Sequence, residues 1–345
     1  MQKGFRGVGF WVLFSVLVVP CWGTIPEGQT ETLSRTKTAK SSLAPLAAYT
    51  PTFGVLVGLG YFRKPAERQG LEMGAYSMVS FKPSILVDAT VDYHWTPELR
   101  FRNALGFSTF LASYYGEGGQ TRRQDNVMFP KVSTFAKTGI AWERDGWALW
   151  PHLDYRGWHE QGGIPHFPEE DRIAAALTAE YQTPDRANRL WAFHPQVTLR
   201  AAAATSRAPS FAQAELDLRA FFQPVTDLVF ASRAYFATSW GEPSYTYRYT
   251  GGGAGLLRGY FENRFRGKSL AAVQEEIRFP IAGAFSGAVF ADAGDVSDGI
   301  PNRWKVTYGG GLRFAIPPDR VAKVRLDIGV SQDQVGAFFL FGDTF

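Results

Sequence analysis

The chain has 345 residues, 45% of them hydrophobic and 15% aromatic, with a formal net charge of +4. No internal stretch is apolar over the roughly 20 residues that a membrane helix needs, which excludes an internal helical span. The 10 Trp, 14 Tyr and 28 Phe are many for a soluble enzyme and suit aromatic belts at two membrane interfaces, while so small a net charge gives no ground for expecting a nucleic-acid partner.

Residues 1–23 read as a secretory signal. Lys3 and Arg6 supply the positive start, Val8 to Val19 the apolar core, and Cys21-Trp22-Gly23 a cleavage site before Thr24. Cys21 is the single cysteine, so the mature chain is expected to have neither a disulfide nor thiol chemistry. Residues 24–42, rich in Thr, Ser, Lys and Glu, are expected to be a disordered lead. Some 19 residues are too few for a periplasmic domain, which needs roughly 50. The remaining residues, 43–345, form one domain.

That domain is written in period two. Ile85, Val87, Ala89, Val91, Tyr93 and Trp95 alternate with Leu86, Asp88, Thr90, Asp92 and His94. Ala212, Ala214, Leu216, Leu218 and Ala220 alternate with Gln213, Glu215, Asp217 and Arg219, and Val324, Leu326, Ile328 and Val330 with Arg325, Asp327 and Gly329. Period two means strand. Runs of about 10 or more residues with one apolar and one charged face are the pattern of a transmembrane barrel, longer than the five or six usual in soluble sheets. The predicted fold is all-β, a transmembrane antiparallel β-barrel of sixteen strands (fourteen is the alternative), running from 43–50 to 335–345. Lipid offers no hydrogen-bond partners, so the sheet must close on itself. Tight turns such as Thr96-Pro97-Glu98 and Glu143-Arg144-Asp145-Gly146 alternate with long connections at Tyr115 to Pro130, Arg156 to Glu170 and Trp240 to Gly267. Long and short ends then face opposite sides of the membrane, with both termini on the short-turn side.

The longest connection contains Gly251-Gly252-Gly253-Ala254-Gly255-Leu256-Leu257-Arg258-Gly259-Tyr260. A glycine run favours neither helix nor strand and suits a loop whose backbone packs closely on something. Leu257-Arg258-Gly259-Tyr260 resembles the in-folded loop motif of the bacterial surface antigen superfamily, the BamA/TamA-type outer-membrane assembly barrels. Leu46 to Gly54, with Tyr49-Thr50-Pro51, is similar to the opening of these barrels, and Tyr114-Tyr115-Gly116-Glu117-Gly118 to the start of an outer loop. Glu276-Ile277-Arg278-Phe279-Pro280 looks like the strand after the loop, and Phe290-Ala291-Asp292-Ala293-Gly294 matches the next strand's motif. The resemblance implies that the long loop enters the lumen and that Arg258 meets Glu276 and Asp292 there. Alternation agrees: Gln274, Glu276 and Arg278 share one face, as do Phe290, Asp292 and Gly294. Glu275 falls on the lipid side. Phe339, Phe341 and the terminal Phe345 look like the strand signal read by the outer-membrane insertion machinery, with Asp343 departing from its apolar pattern.

No Gly-x-Ser-x-Gly elbow occurs. Gly267-Lys268-Ser269 ends like a phosphate-binding loop, but position 262 is Glu where that motif needs Gly. His159 and His166, near Glu160, Glu169, Glu170 and Asp171, read as a solvated outer loop, and His94, Asp88 and Asp92 as lumen lining. No catalytic residue, metal or cofactor is therefore expected. The resemblance implies a protein of the bacterial outer membrane, in contact with its lipid, that assists insertion or translocation of client outer-membrane proteins, with a periplasmic partner as a further expectation. A passive pore or structural barrel, and an outer-membrane lipid-modifying enzyme, are the alternatives.

Overall fold

The structure, a computed structural model, describes residues 40–65, 69–160, 169–183, 190–206, 208–316 and 323–345. The expected signal and all but the last three residues of the expected lead lie outside these. In chain order the strands are β1 (Lys40–Thr50), β2 (Gly54–Lys64), β3 (Gly70–Ser80), β4 (Ser84–His94), β5 (Leu99–Tyr114), β6 (Val127–Arg144), β7 (Trp147–Glu160), β8 (Glu170–Tyr181) and β9 (Trp191–Ala202). They continue with β10 (Phe211–Val225), β11 (Leu228–Gly241), β12 (Tyr249–Gly251), β13 (Phe265–Gly267), β14 (Ser269–Ala282), β15 (Phe285–Ser297), β16 (Lys305–Ala315), β17 (Lys323–Val330) and β18 (Val335–Phe341). Among the described residues, sixteen of these close into one antiparallel barrel in chain order, with β14 following β11 and β18 returning to β1. Strands β12 and β13 pair only with each other and form a ribbon within the long connection.

Every neighbour in the cylinder is a hairpin partner except at the closure, so register is local and each side chain's face follows from parity. Val55, Val57, Leu59 and Tyr61 of β2 point outward and are exposed, while Leu56 is fully buried inside. The short-turn end carries an outward aromatic girdle: Tyr93, Trp95, Phe101, Trp142, Trp147, Trp191, Phe230 and Phe285 are all exposed. Several stack on a neighbour, as Trp191 does on Phe222 at 4.3 Å. A belt of this kind marks a membrane interface. Register slips occur between Phe222 and Val225, around Pro224, and between Pro280 and Ala282. Proline has no N–H for the ladder, so both prolines sit at the strands' short-turn ends, where pairing is finishing.

Strand boundaries differ from expectation in three places. Strand β1 starts at Lys40, because Lys40 to Ser42 already pair with Phe62 to Lys64. Strands β6 and β7 reach Val127 and Glu160 and shorten two of the outer loops, since β5, β6 and β7 keep pairing above the apolar band. Strand β18 stops at Phe341; Gly342 takes φ 79° and the last residues turn inward.

Candidate functional site

Residues 242–268, between β11 and β14, form a lasso that folds back into the barrel. Its stem is the β12–β13 ribbon, with Tyr249 opposite Gly267 and Gly251 opposite Phe265. The glycine run does what its composition suggests. Gly252 and Gly253 have φ of 105° and 92°, and a Cβ on Gly252 would lie 2.2 Å from the Phe261 carbonyl oxygen. Leu257 is buried with φ 59°, a left-handed conformation that costs a leucine on the order of 1–3 kcal/mol and persists because its surroundings hold it. The turn at the tip closes with the Gly259 and Tyr260 N–H groups donating to the Leu257 carbonyl at 2.8 and 3.0 Å. Tyr260 is buried edge-on against Phe265 at 4.9 Å.

Arg258 sits at the apex, fully buried. Its Nε and Nη2 donate to the two oxygens of Asp292 at 2.9 and 2.7 Å, and its backbone N–H donates to Asp292 Oδ2 at 2.9 Å. Its Nη1 donates to Glu276 and, at 3.1 Å, to Thr344 Oγ1. The guanidinium carbon lies over the Phe290 ring, 3.6 Å from its centre. A planar cation bidentate to one carboxylate and stacked on an aromatic face is a geometry lysine cannot supply. Gly294 of the same strand motif faces the Ala271 carbonyl, which a Cβ would approach to 2.7 Å. Two further glycines let the lasso tip lie against the wall. A Cβ on Gly259 would meet the Val330 carbonyl carbon at 2.7 Å, and one on Gly329 would overlap the Arg258 carbonyl oxygen at 1.4 Å.

The network is wider than the three residues the sequence brings together. Glu276 also accepts from Arg278 Nε at 2.8 Å and Arg313 Nη2 at 3.4 Å, and Arg313 and Arg325 share Asp327. The C-terminal residues enter it. Thr344 accepts from Arg258 and Arg325, while Asp343 lies 3.2 Å from Arg278 and Lys323. Phe345 is buried in the lumen, its ring centre 5.7 Å from the Arg278 guanidinium carbon. The period-two row of Phe339 and Phe341 thus does not extend to Phe345, and Asp343 breaks the apolar pattern because it faces three cations. Parity placed Arg278, Arg325 and Asp327 on the inward face. Nothing in the sequence marked Thr344, whose role follows only from the turn at Gly342.

The lasso also reaches the closure of the barrel. Strand β1 pairs with β2 through eleven consecutive residues but with β18 through one pair, Tyr49 and Phe339. Inside this seam, Leu46 and Ala48 of β1 pack with Phe338 and Leu340 of β18 and with Leu56, Met78 and Leu86; Ala254 of the lasso lies on that cluster. At the outer end the two residues after Tyr260 grip opposite sides of the seam. The Phe261 N–H donates to Gln334 Oε1 in the β17–β18 turn at 3.0 Å, and Glu262 accepts from Thr52 Oγ1 in the β1–β2 turn at 2.5 Å. Glu262 is buried, and burial pushes its carboxyl above the usual carboxylate range, opposed by hydrogen bonds from Thr52 and Thr50.

The other charged candidates form ion pairs and hydrogen bonds along the strands. His94 lies 3.4 Å from Glu72, Asp92 pairs with Arg100, and Asp88 accepts from Tyr76. His159 is 3.5 Å from Glu169 and 3.6 Å from Asp171, and no group of three metal-ligating side chains assembles among the described residues. His166 lies outside those residues. Glu275 points to the lipid side, where Ser232 Oγ donates to it at 2.5 Å.

A closed cylinder with an apolar outer band, an aromatic girdle and a charged lumen defines a transmembrane barrel of the bacterial outer membrane. Residues 196–342 match the Omp85 superfamily domain, covering the stretch from β9 through the lasso to β18. Similar solved structures include BamA from Haemophilus ducreyi lacking POTRA domains 1–3, at 11% identity and TM-score 0.64, over 89% of this chain and 70% of that one. CdiB from Escherichia coli matches at 10% identity and TM-score 0.66, over 90% and 63%. CdiB from Acinetobacter baumannii matches at 13% and 0.60, over 89% and 60%. The chain thus spans less than two thirds of both CdiB chains. No curated protein matches it by sequence.

Proposed function

We propose that this barrel assists insertion or translocation of other proteins at the outer membrane by opening sideways between β1 and β18, with the lasso controlling that opening. The observation that carries the reading is the seam: one register pair where every other junction is a ladder. A strand edge released there would offer unpaired backbone groups to an incoming strand. Closure rests instead on side chains, the apolar cluster inside and the Phe261 and Glu262 contacts at the outer end, all of which can separate without breaking a sheet. A plain pore expects an open lumen, whereas here the lasso, the Arg258 network and Phe345 lie within it. The family likeness supports the role, and a periplasmic partner would deliver clients to the short-turn end.

The test locks the seam. Tyr49 and Phe339 face each other on adjacent antiparallel strands, a spacing that a disulfide can bridge. Tyr49→Cys with Phe339→Cys is expected to fold and, when oxidised, to lower the same set of outer-membrane proteins that depletion of the chain lowers, with reductant restoring them. A census of outer-membrane proteins that is unchanged by both depletion and locking would sink the proposal.

A further inference from the structure

A second charged cluster, on β7, β9, β10 and β11, touches the lasso away from Arg258, with Arg156 donating to the Thr246 carbonyl at 3.0 Å and Arg233 to the Gly255 carbonyl at 3.3 Å. It lines a cavity of about 170 Å³ between the inward faces of β6 to β11 and the lasso. Its ion pairs are consistent but incomplete. Asp154, fully buried, accepts from Arg156 at 3.0 and 3.1 Å and from Arg200 at 3.0 Å. Arg200 also donates to Glu215 at 2.7 Å, and Asp217 is shared by Arg219 and Arg233 at 2.6 and 2.8 Å. The cavity is lined by more cations than acids, Lys137, Arg156, Arg200, Arg219, Arg233, Arg248 and Arg325 against Glu215, Asp217 and Glu262, with Asp154 buried beside Arg156 and Arg200.

Lys137 is the cation left over. It stands opposite Asp154 in the β6–β7 register, yet Asp154 is hydrogen-bonded to the two arginines, and Lys137 makes no hydrogen bond and no ion pair within 4.0 Å among the described residues, feeling Asp154 and Glu215 only at longer range. Two other groups on the same cavity, Trp150 Nε1 and Tyr249 Oη, are buried with no protein partner. All three can donate a hydrogen bond. Buried polar groups are ordinarily satisfied, and surplus cations in a confined space call for a counter-charge.

We propose that this wall of the lumen is a binding site for a small oxyanion, of the phosphate or carboxylate class, centred on the Lys137 ammonium. Flanking donors suit such a ligand: the Thr178 and Thr198 hydroxyls, 3.1 Å apart, and the His152 ring stacked at 3.9 Å on Trp150. Because Tyr249 belongs to the lasso stem, a bound anion ties the lasso to the β6–β9 wall. The site stands on the charge count and the unpaired donors, and does not depend on client handling.

The test uses the full chain in detergent micelles, with inorganic phosphate as the probe at constant ionic strength. Acetylation of Lys137 by a small water-soluble reagent is followed by peptide mass spectrometry, with exposed Lys82 as the reference. Phosphate at ten times its dissociation constant is expected to slow Lys137 labelling roughly tenfold by mass action, leaving Lys82 unchanged. Calorimetric titration should show saturable phosphate binding that Lys137→Gln abolishes and Lys137→Arg retains. Should the variants not fold, the labelling of the wild-type chain decides alone. Lys137 labelling that ignores phosphate, or that falls in step with Lys82, overturns the proposal.

Discussion

Replacing Arg258 by alanine separates two consequences that the geometry makes unequal. Glu276 loses one of three guanidinium partners and keeps Arg278 at 2.8 Å and Arg313 at 3.4 Å. Asp292 loses its only ion-pair partner among the described residues and, fully buried, keeps the Arg258 backbone N–H at 2.9 Å. Stranding one member of a buried pair costs about 3–5 kcal/mol, which shifts the docked-to-released ratio of the lasso by roughly two to three and a half powers of ten. That cost belongs to Asp292, so Arg258→Ala with Asp292→Ala should recover much of it, whereas Arg258→Ala with Glu276→Ala should not, because it still leaves Asp292 without its ion-pair partner. Two measurements report on the lasso: protease cleavage within residues 242–268 of the folded barrel, and conductance in planar bilayers. Both are expected to rise in the single variant and to return towards wild type in the Asp292 double variant. If the single variant leaves both unchanged, or if the two double variants behave alike, Arg258 does not anchor the lasso through Asp292.

The other predictions concern the seam and the lasso's approach to the wall. Glu262 holds its proton to higher pH in the docked lasso than in the released chain, so docking is favoured at acid pH and weakens as pH rises from the ordinary value of 4.5 through the raised one, by at most about 1.4 kcal/mol per pH unit. Glu262→Gln should abolish this dependence, measured as lasso cleavage against pH. Gly329→Ala would place a methyl 1.4 Å from the Arg258 carbonyl, so it should release the lasso to the protease as Arg258→Ala does while the strands stay paired by circular dichroism. Phe338→Ala removes a fully buried ring shared by both sides of the seam, a loss of about 3–5 kcal/mol; it should lower the temperature at which the folded band is lost on gels and speed disulfide exchange between cysteines at 49 and 339.

The barrel was legible in the sequence because its rule is local. Parity assigns a face to every residue of a strand once one neighbour is known, and Phe211 to Phe222 or Val324 to Val330 carry that rule unbroken. The meeting of Arg258, Glu276 and Asp292 was legible for a different reason, a motif resemblance that parity then supported. What stayed hidden depends on geometry with no period. The turn at Gly342 carries Asp343, Thr344 and Phe345 off the strand, and the sequence showed it only as a discord at Asp343. The close approach of Gly329 to Arg258 joins residues 71 positions apart, and a glycine in a strand gives no sign of what its missing side chain admits. The Thr52–Glu262 contact is likewise a meeting of two loops that no pattern relates.

These hidden contacts share a direction. Lasso residues 258 to 262 touch, in order, the β14–β15 wall and the C-terminal tail, the β17 backbone, the β17–β18 turn and the β1–β2 turn. The tip therefore crosses the lumen from a fully laddered part of the sheet to its least paired junction. Thr344 ties the C-terminal tail to the same arginine, so the residues that follow β18 are held by the lasso as well as by the wall cations Arg278, Arg313, Lys323 and Arg325. Movement of β18 away from β1 must then either break the contacts of Thr344 and Gln334 or carry the lasso with it. Either way, opening of the seam costs Arg258 a contact or moves it, and under the proposed function this coupling would let the lasso control the opening.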